Sequence, residues 1–315
     1  MYPRLTFILL PLILACVAIS GVLLGSLNLN LAIESDHHIL TNLRLSRVLV
    51  ALLAGAGLGL SGALIQGVVR NPLASPDLIG VTAGAGLAAT GLLLIFPEIA
   101  FAWLIPAAIV GALSAMALML WLVRDRSLNP TRLVLVGIAL SAWLGALTDW
   151  LLVSHPQQVN AALVWLTGSL WGRGWQHVWI LLPWLLVLLP LTLLLALRLD
   201  LLALGDEAAE GLGSNVERTR KLALLLSVAL AAVSVAVCGA ISFVGLVSPH
   251  LARLLVGGAH RRLLPVAAMI GALLVLVADI LARTIAPPIE LPAGVLTSLI
   301  GAPYFLFLLT RYRGW

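Results

Sequence analysis

The chain has a single lysine in 315 residues, Lys221, and a leucine follows it. A phosphate-cradling P-loop needs Gly-Lys-Ser/Thr, so nucleotide binding through that motif is excluded. Cysteine is almost as scarce. Cys16 and Cys238 both fall in apolar runs and make neither a metal-ligand spacing nor an evident disulfide. There is no paired-histidine zinc spacing and no Gly-x-Ser-x-Gly nucleophile turn, so the expectation is a chain that is not an enzyme and binds no cofactor itself. Charge is the widest deficit. Only 10% of residues are Asp, Glu, Lys or Arg, against 62% hydrophobic, and the mean hydropathy is +1.12. So few charges cannot cover a water-soluble surface.

What is abundant is long apolar runs. A helical span needs about 20 mostly apolar residues, and the chain offers about ten such runs: 5–27, 48–69, 79–96, 102–123, 131–153, 177–197, 221–239, 241–256, 263–283 and 293–311. In lipid a backbone must satisfy its own hydrogen bonds, and runs of this length read as helices rather than barrel strands. The fold class is therefore all-α, a polytopic membrane protein forming one transmembrane domain over residues 1–315. Basic residues favour the cytoplasmic side. With the N-terminus inside, 14 of the 18 Arg and Lys residues fall in inner loops, and only Arg44, Arg47, Arg173 and Arg283 fall outside. Both termini are then cytoplasmic, and the net charge of +5 reports topology rather than nucleic-acid affinity. The segment Ile13-Leu14-Ala15-Cys16 loosely resembles a lipoprotein cleavage site, but cleavage there would remove most of the first span.

Small residues are placed for packing. Gly55, Gly57, Gly59, Ser61 and Gly62 crowd the second run, and Gly137, Ser141 and Gly145 repeat every four residues in the fifth. Such faces let helix backbones approach closely in lipid. Seven of the ten tryptophans lie between Trp143 and Trp184, as in an interfacial belt, around an outer loop expected to hold a short helix near 159–170. Asp279 and Arg283, spaced i and i+4 near the outer end of the ninth run, read as a structural ion pair before a proton relay. Arg44, Arg47 and Arg283 are outward cations against the charge bias, placed either for an acidic partner or for lipid phosphates. His250 reads as a buried, satisfied histidine. The most charged stretch, 200–221, holds eight charged residues in an inner loop. A short polar helix ending in glycine there suits another protein's grip better than it suits catalysis.

Several segments together resemble the FecCD family of binding-protein-dependent ABC permeases. They are Leu43-Arg44-Leu45-Ser46-Arg47, Gly62-Ala63-Leu64-Ile65-Gln66-Gly67, Arg70-Asn71-Pro72-Leu73-Ala74-Ser75-Pro76-Asp77, Trp165-Leu166-Thr167-Gly168-Ser169-Leu170, Gly245-Leu246-Val247-Ser248-Pro249-His250 and Glu290-Leu291-Pro292-Ala293-Gly294. The match runs over nearly the whole chain from about residue 40. Stretches around Asp149-Trp150 and Trp171-Gly172-Arg173-Gly174-Trp175 resemble the ferric citrate branch most closely. Ser46 and Ser248 depart from the usual residues, as does Ala83, where a related cobalamin importer carries asparagine.

The resemblance implies a subunit of a bacterial inner-membrane importer of an iron chelate, ferric citrate or another ferric siderophore, with cobalamin or haem as alternative cargo. Its partners would be a second FecCD-type permease (a heterodimer favoured over a homodimer), two cytoplasmic ATPases that use ATP and Mg, and a periplasmic binding protein. Asp206, Glu207, Ala208, Ala209, Glu210, Gly211 and Gly213 resemble the ATPase-coupling segment, within a cytoplasmic stretch over 200–220. Arg44, Arg47 and Arg283 match positions that meet acidic residues of the binding protein. The inner gate would lie at the cytoplasmic ends of the third and fifth spans, near Thr82 and Ala83 and near Asn129, Pro130 and Thr131. The rival from another class is an ATP-independent secondary transporter, which would depend on Asp279 or Asp149.

Overall fold

A computed structural model of the chain describes residues 3–24, 37–98, 101–123, 130–287 and 289–311, which form helices and connecting turns without a strand. In chain order the helices are α1 (Pro3–Leu23), a π-helical turn (Ile39–Arg44) running straight into α2 (Leu45–Val69), a 3-10 turn (Pro76–Ile79), α3 (Val81–Ile95), α4 (Leu104–Val123), α5 (Pro130–Ser154), α6 (Val159–Leu166), α7 (Trp175–Leu194), α8 (Ala196–Ala203), α9 (Asp206–Gly211), α10 (Val216–Cys238), α11 (Val244–Val256), α12 (His260–Thr284) and α13 (Ala293–Arg311). The short helix expected in the outer loop is α6. The ninth expected run is α12, and the polar inner helix is α9.

All ten apolar runs contain a helix. Seven of these helices are long and apolar enough to cross a membrane, among the described residues. The other three runs hold shorter apolar helices, including α3 with 15 residues and α11 with 13. At 1.5 Å per residue, 13 residues reach only about 20 Å, short of the ~30 Å apolar layer. The reason lies in two breaks in the α-helical pattern. Residues 70–80 turn back into the bundle after α2 before α3 begins. Residues 239–243 interrupt the chain between α10 and α11.

The core is built on α2. From Gly57 to Val69 every residue of α2 is buried, and the helix packs against α12, α10, α11 and α7. Lipid supplies no hydrophobic drive between helices, so close van der Waals contact has to hold them. Glycine makes it possible here: a methyl group at Gly55 would overlap the Gly271 carbonyl of α12, and one at Gly62 would overlap the Gly245 carbonyl of α11. Buried hydroxyls add interhelical hydrogen bonds. Ser61 Oγ donates to the Ser227 carbonyl (2.7 Å), and Ser227 Oγ donates to the Ser61 carbonyl (2.8 Å), joining α2 to α10.

The fifth-run face divides in two. Gly137 abuts the Leu78 carbonyl and Ser141 Oγ donates to the Asp77 carbonyl (3.0 Å), whereas Gly145 meets open space. Five of the clustered tryptophans, Trp143, Trp150, Trp171, Trp179 and Trp184, are exposed as a lipid-facing belt requires, whereas Trp165 is buried. His250 differs from expectation. It is half-buried, with its ring edge-on to Tyr304 at 6.0 Å between centroids. The Gly62→Ala substitution should lower unfolding stability by about 1–3 kcal/mol through overpacking, while Gly145→Ala should leave it unchanged. Thermal unfolding of the purified protein in detergent, followed by tryptophan fluorescence, checks the pair.

Candidate functional site

Three features stand along the axis of α2. The first is at the end that the charge bias assigns to the outside. Arg47, in the first turn of α2, donates through Nε to Asp279 Oδ1 (2.8 Å) and through Nη1 to Glu290 Oε2 (2.8 Å). Asp279 has no exposed surface and also faces Arg283 Nε at 3.4 Å. Arg283 Nη2 donates to the Gly21 carbonyl (2.5 Å) and Arg44 Nη1 to the Leu23 carbonyl (2.7 Å). The last carbonyls of a helix have no partner within it and carry partial negative charge. Two arginines therefore close the end of α1 and pin it to α2 and α12.

The structure gathers Arg44, Arg47 and Arg283 into one cluster and turns them toward internal acceptors. Arg44 and Arg283 are buried, at 7% and 3% exposure. Asp279 lies between two guanidiniums, the arrangement expected of a structural pair. Glu290 was not assigned this role from sequence, and no spacing could have revealed it: it is 243 positions from Arg47.

The second feature is α9 at the opposite end. It is flanked by Gly205 and Gly213, both with left-handed φ (+113° and +81°). Ala209 packs into the core, leaving Glu207, Ala208, Glu210, Gly211 and Gly213 exposed beside Leu212 at 62%. Asp206, only partly buried, forms ion pairs with Arg70 and with Arg220, the latter at 2.8 Å. A carboxylate in the first turn also suits the helix dipole. Arg70 and Arg220 were both missed as site residues, because nothing local marks them as partners of Asp206.

The third feature lies between. A cleft of about 490 Å³ is walled by Asp77 of the 3-10 turn, Thr82 and Ala83 of α3, Thr148 and Asp149 of α5, and Ser242 and Phe243 of the second non-helical segment. Non-helical backbone at membrane depth is tolerated where it is buried in protein or lines a water-filled cavity. Both interruptions of the bundle meet that condition here. Thr82 Oγ1 donates to Asp77 Oδ1 (2.5 Å), which fixes the turn against α3.

Thr82 and Ala83 do not sit level with the first turn of α5. Because residues 70–80 re-enter the bundle, α3 begins beside Leu140 and Ser141, half-way along α5. Pro130 and Thr131 open α5 and do not line the cleft. Asn129 lies outside the described residues. Among the described residues the cleft wall carries two carboxylates, Asp77 and Asp149, and no lysine, arginine or histidine.

The FecCD transport family model matches residues 5–311. The chain belongs to that family. It is 48% identical to the Fe(3+)-citrate import system permease protein YfmE of Bacillus subtilis (strain 168), over 98% of this chain and 95% of that protein. It is 50% identical to the Fe(3+) dicitrate transport system permease protein FecD of Escherichia coli (strain K12), over 89% of this chain and 87% of that one. The hemin transport system permease protein HmuU of Yersinia pestis is 41% identical over 99% of this chain and 97% of its own length. In three dimensions this FecCD chain is similar to an inward-facing chain assigned to the metal-chelate type of ABC transporter. The TM-score is 0.90 at 34% identity, covering 99% of this chain and 100% of that one.

Asp279→Ala would leave Arg47 and Arg283 facing each other without their shared carboxylate. Breaking a buried pair from one side costs about 3–5 kcal/mol. The variant should unfold correspondingly earlier in the same detergent assay, whereas Asp149→Asn, exposed at the cleft, should not.

Proposed function

We propose that this chain is the permease subunit of an ABC importer that carries an iron chelate inward, with ferric citrate as its cargo. The observation that carries the reading is α9, an exposed acidic helix held at the inner end of a membrane bundle whose sequence has no P-loop. Such a chain needs an engine, and α9 is shaped as the handle. The iron-citrate relatives, nearly full-length matches, support the cargo. The similarity to the hemin permease supports haem as the second reading, with cobalamin further removed.

In this scheme the segment 200–220 couples to two ATPase subunits, which bind ATP and Mg. Leu212, exposed beside Glu207 and Glu210, adds an apolar contact to the acidic surface they grip. A second FecCD-type permease, a homologue rather than a copy, completes the pathway in a bacterial inner membrane. At the outer end, three arginines against two carboxylates leave one net positive charge. Its field steers the acidic surface of a periplasmic binding protein, and Glu290 at the rim marks where such an acid would exchange for the internal one.

ATP-driven closure of the ATPases moves α9 and alternates access to the cleft. A ligand shifts such an equilibrium only through differential affinity for its states. A cleft wall with two carboxylates and no cation suits that task for an anionic chelate, because it offers no site at which the cargo would stick. Thr82 and Ala83, together with Asn129, Pro130 and Thr131, are the proposed gate residues. Asp279 is committed to two arginines, which speaks against the secondary-transporter reading.

The test is radioiron uptake in cells lacking the chain, with and without it restored, offering ferric citrate, other ferric chelates, haem and cobalamin. Restoration of ferric citrate uptake is the expected outcome. Restoration of haem or cobalamin uptake alone would keep the permease and discard the iron chelate. Glu207→Arg should reduce uptake by at least tenfold, about the loss of 1.4 kcal/mol of coupling, and should release the ATPases on purification. Normal uptake with the ATPases still bound would sink the coupling role of α9.

A further inference from the structure

The residue that ends α2 is in an unusual state. Arg70 has φ +53° and ψ +37°, the left-handed conformation. Glycine takes that conformation without steric penalty and is the common residue just past a helix end. An arginine there points to a side chain with a task, and its partner is Asp206, the first residue of α9. Asp206 also accepts from Arg220 of α10. That second contact ties α9 to the span that follows it in the chain, where Arg220 is buried. Arg70 belongs to a helix remote in sequence.

The helix α9 is otherwise lightly held. It has six residues, a left-handed glycine on each side, and one buried side chain, Ala209. The Arg70 contact therefore joins a hinged surface helix to the most buried helix of the bundle. Arg70 also starts the segment that re-enters the bundle. That segment carries Ser75 and Asp77 into the cleft wall, where Asp77 is bonded to Thr82 of α3 and to Ser141 of α5. A displacement of α9 thus has a continuous physical route to the cleft: the Asp206–Arg70 ion pair, the main chain of residues 71–76, and Asp77 with the two helices it bridges.

We infer that Arg70 is a positioning residue that transmits the movement of α9 to the cleft wall through its ion pair with Asp206. This deepens the proposed function and rests on α9 being the coupling helix. Transmission of this kind needs a physical element that both sites bias, and the re-entrant segment is that element.

The experiment uses the assembled transporter, purified with its ATPases and reconstituted in proteoliposomes with ferric-citrate-loaded binding protein. Iron imported per ATP hydrolysed is read for each variant. Arg70→Gly relieves the backbone conformation while deleting the charge, so it tests the side chain without straining the helix end. It should retain its ATPase subunits and basal ATP hydrolysis, and import about tenfold less iron per ATP, within the usual range of coupling energies. Arg70→Lys should keep most of the wild-type ratio, and Asp206→Asn, a change within the coupling segment itself, should lower the iron imported per ATP as Arg70→Gly does.

A wild-type ratio in Arg70→Gly or in Asp206→Asn overturns the inference. So does an equal fall in Arg70→Gly and Arg70→Lys, since charge would then not be the agent. Loss of the ATPases from Arg70→Gly overturns it as well, because Arg70 would then hold the partner instead of linking elements within the chain. Glu207→Arg serves as the separate arm. A normal complex and normal import in that variant overturn the coupling reading and the inference together. A defect there beside a normal Arg70→Gly overturns the inference alone.

Discussion

Backbone-to-backbone contact between α2 and its neighbours is the constraint on which the rest of this molecule depends. Helices in lipid gain nothing from burying apolar surface against each other that they would not also gain from lipid. They must touch closely, and at Gly55, Gly62, Gly245 and Gly271 they do so with no side chain between them. That contact makes α2 a fixed axis. The Ser61 and Ser227 hydroxyls lock it to α10, and the re-entrant residues 70–80 can be held in the bundle because α2 is already anchored on its other faces.

The two ends of this axis are treated alike. At each end an arginine of α2, or one just past it, reaches a carboxylate from a distant part of the chain: Arg47 to Asp279 and Glu290, Arg70 to Asp206. An isolated charge in the buried outer cluster would be unfavourable, whereas the inner pair is partly exposed, at 32% for Arg70 and 43% for Asp206. They differ in what surrounds them. The outer cluster also closes the carbonyl end of α1 and is almost dry, whereas the inner pair sits beside a short hinged helix with exposed acidic and apolar residues. The outer end reads as a rigid platform and the inner end as a movable joint. The proposed function, with drive at one face and loading at the other, would use that asymmetry.

The cleft sits where the helical pattern fails. Both interruptions, at 70–80 and at 239–243, expose main-chain polar groups that lipid would not accept, and both line the same space. On the proposed alternating-access reading, a pathway through this cleft has to be polar enough to admit water and yet hold its cargo weakly. Backbone segments, threonines and two carboxylates meet that requirement for an anionic chelate better than a basic pocket would.

Much of this was legible in the primary structure, and the reason is periodicity and counting. Ten apolar runs, the charge bias that orients them, the small-residue face of α2 and the polar helix at Asp206–Gly211 all follow from local composition, because lipid imposes the same demand on every residue of a span. The pairing of Asp279 with Arg283 was visible for the same reason, being four residues apart on one helix. Only the tertiary structure decided that Arg44, Arg47 and Arg283 turn inward, that Glu290 joins them, that Thr82 lies half-way along α5, and that Arg70 holds Asp206. Each of these depends on residues tens to hundreds of positions apart. A single sequence carries no record of which distant charges the packing of α2 brings within 3 Å of each other.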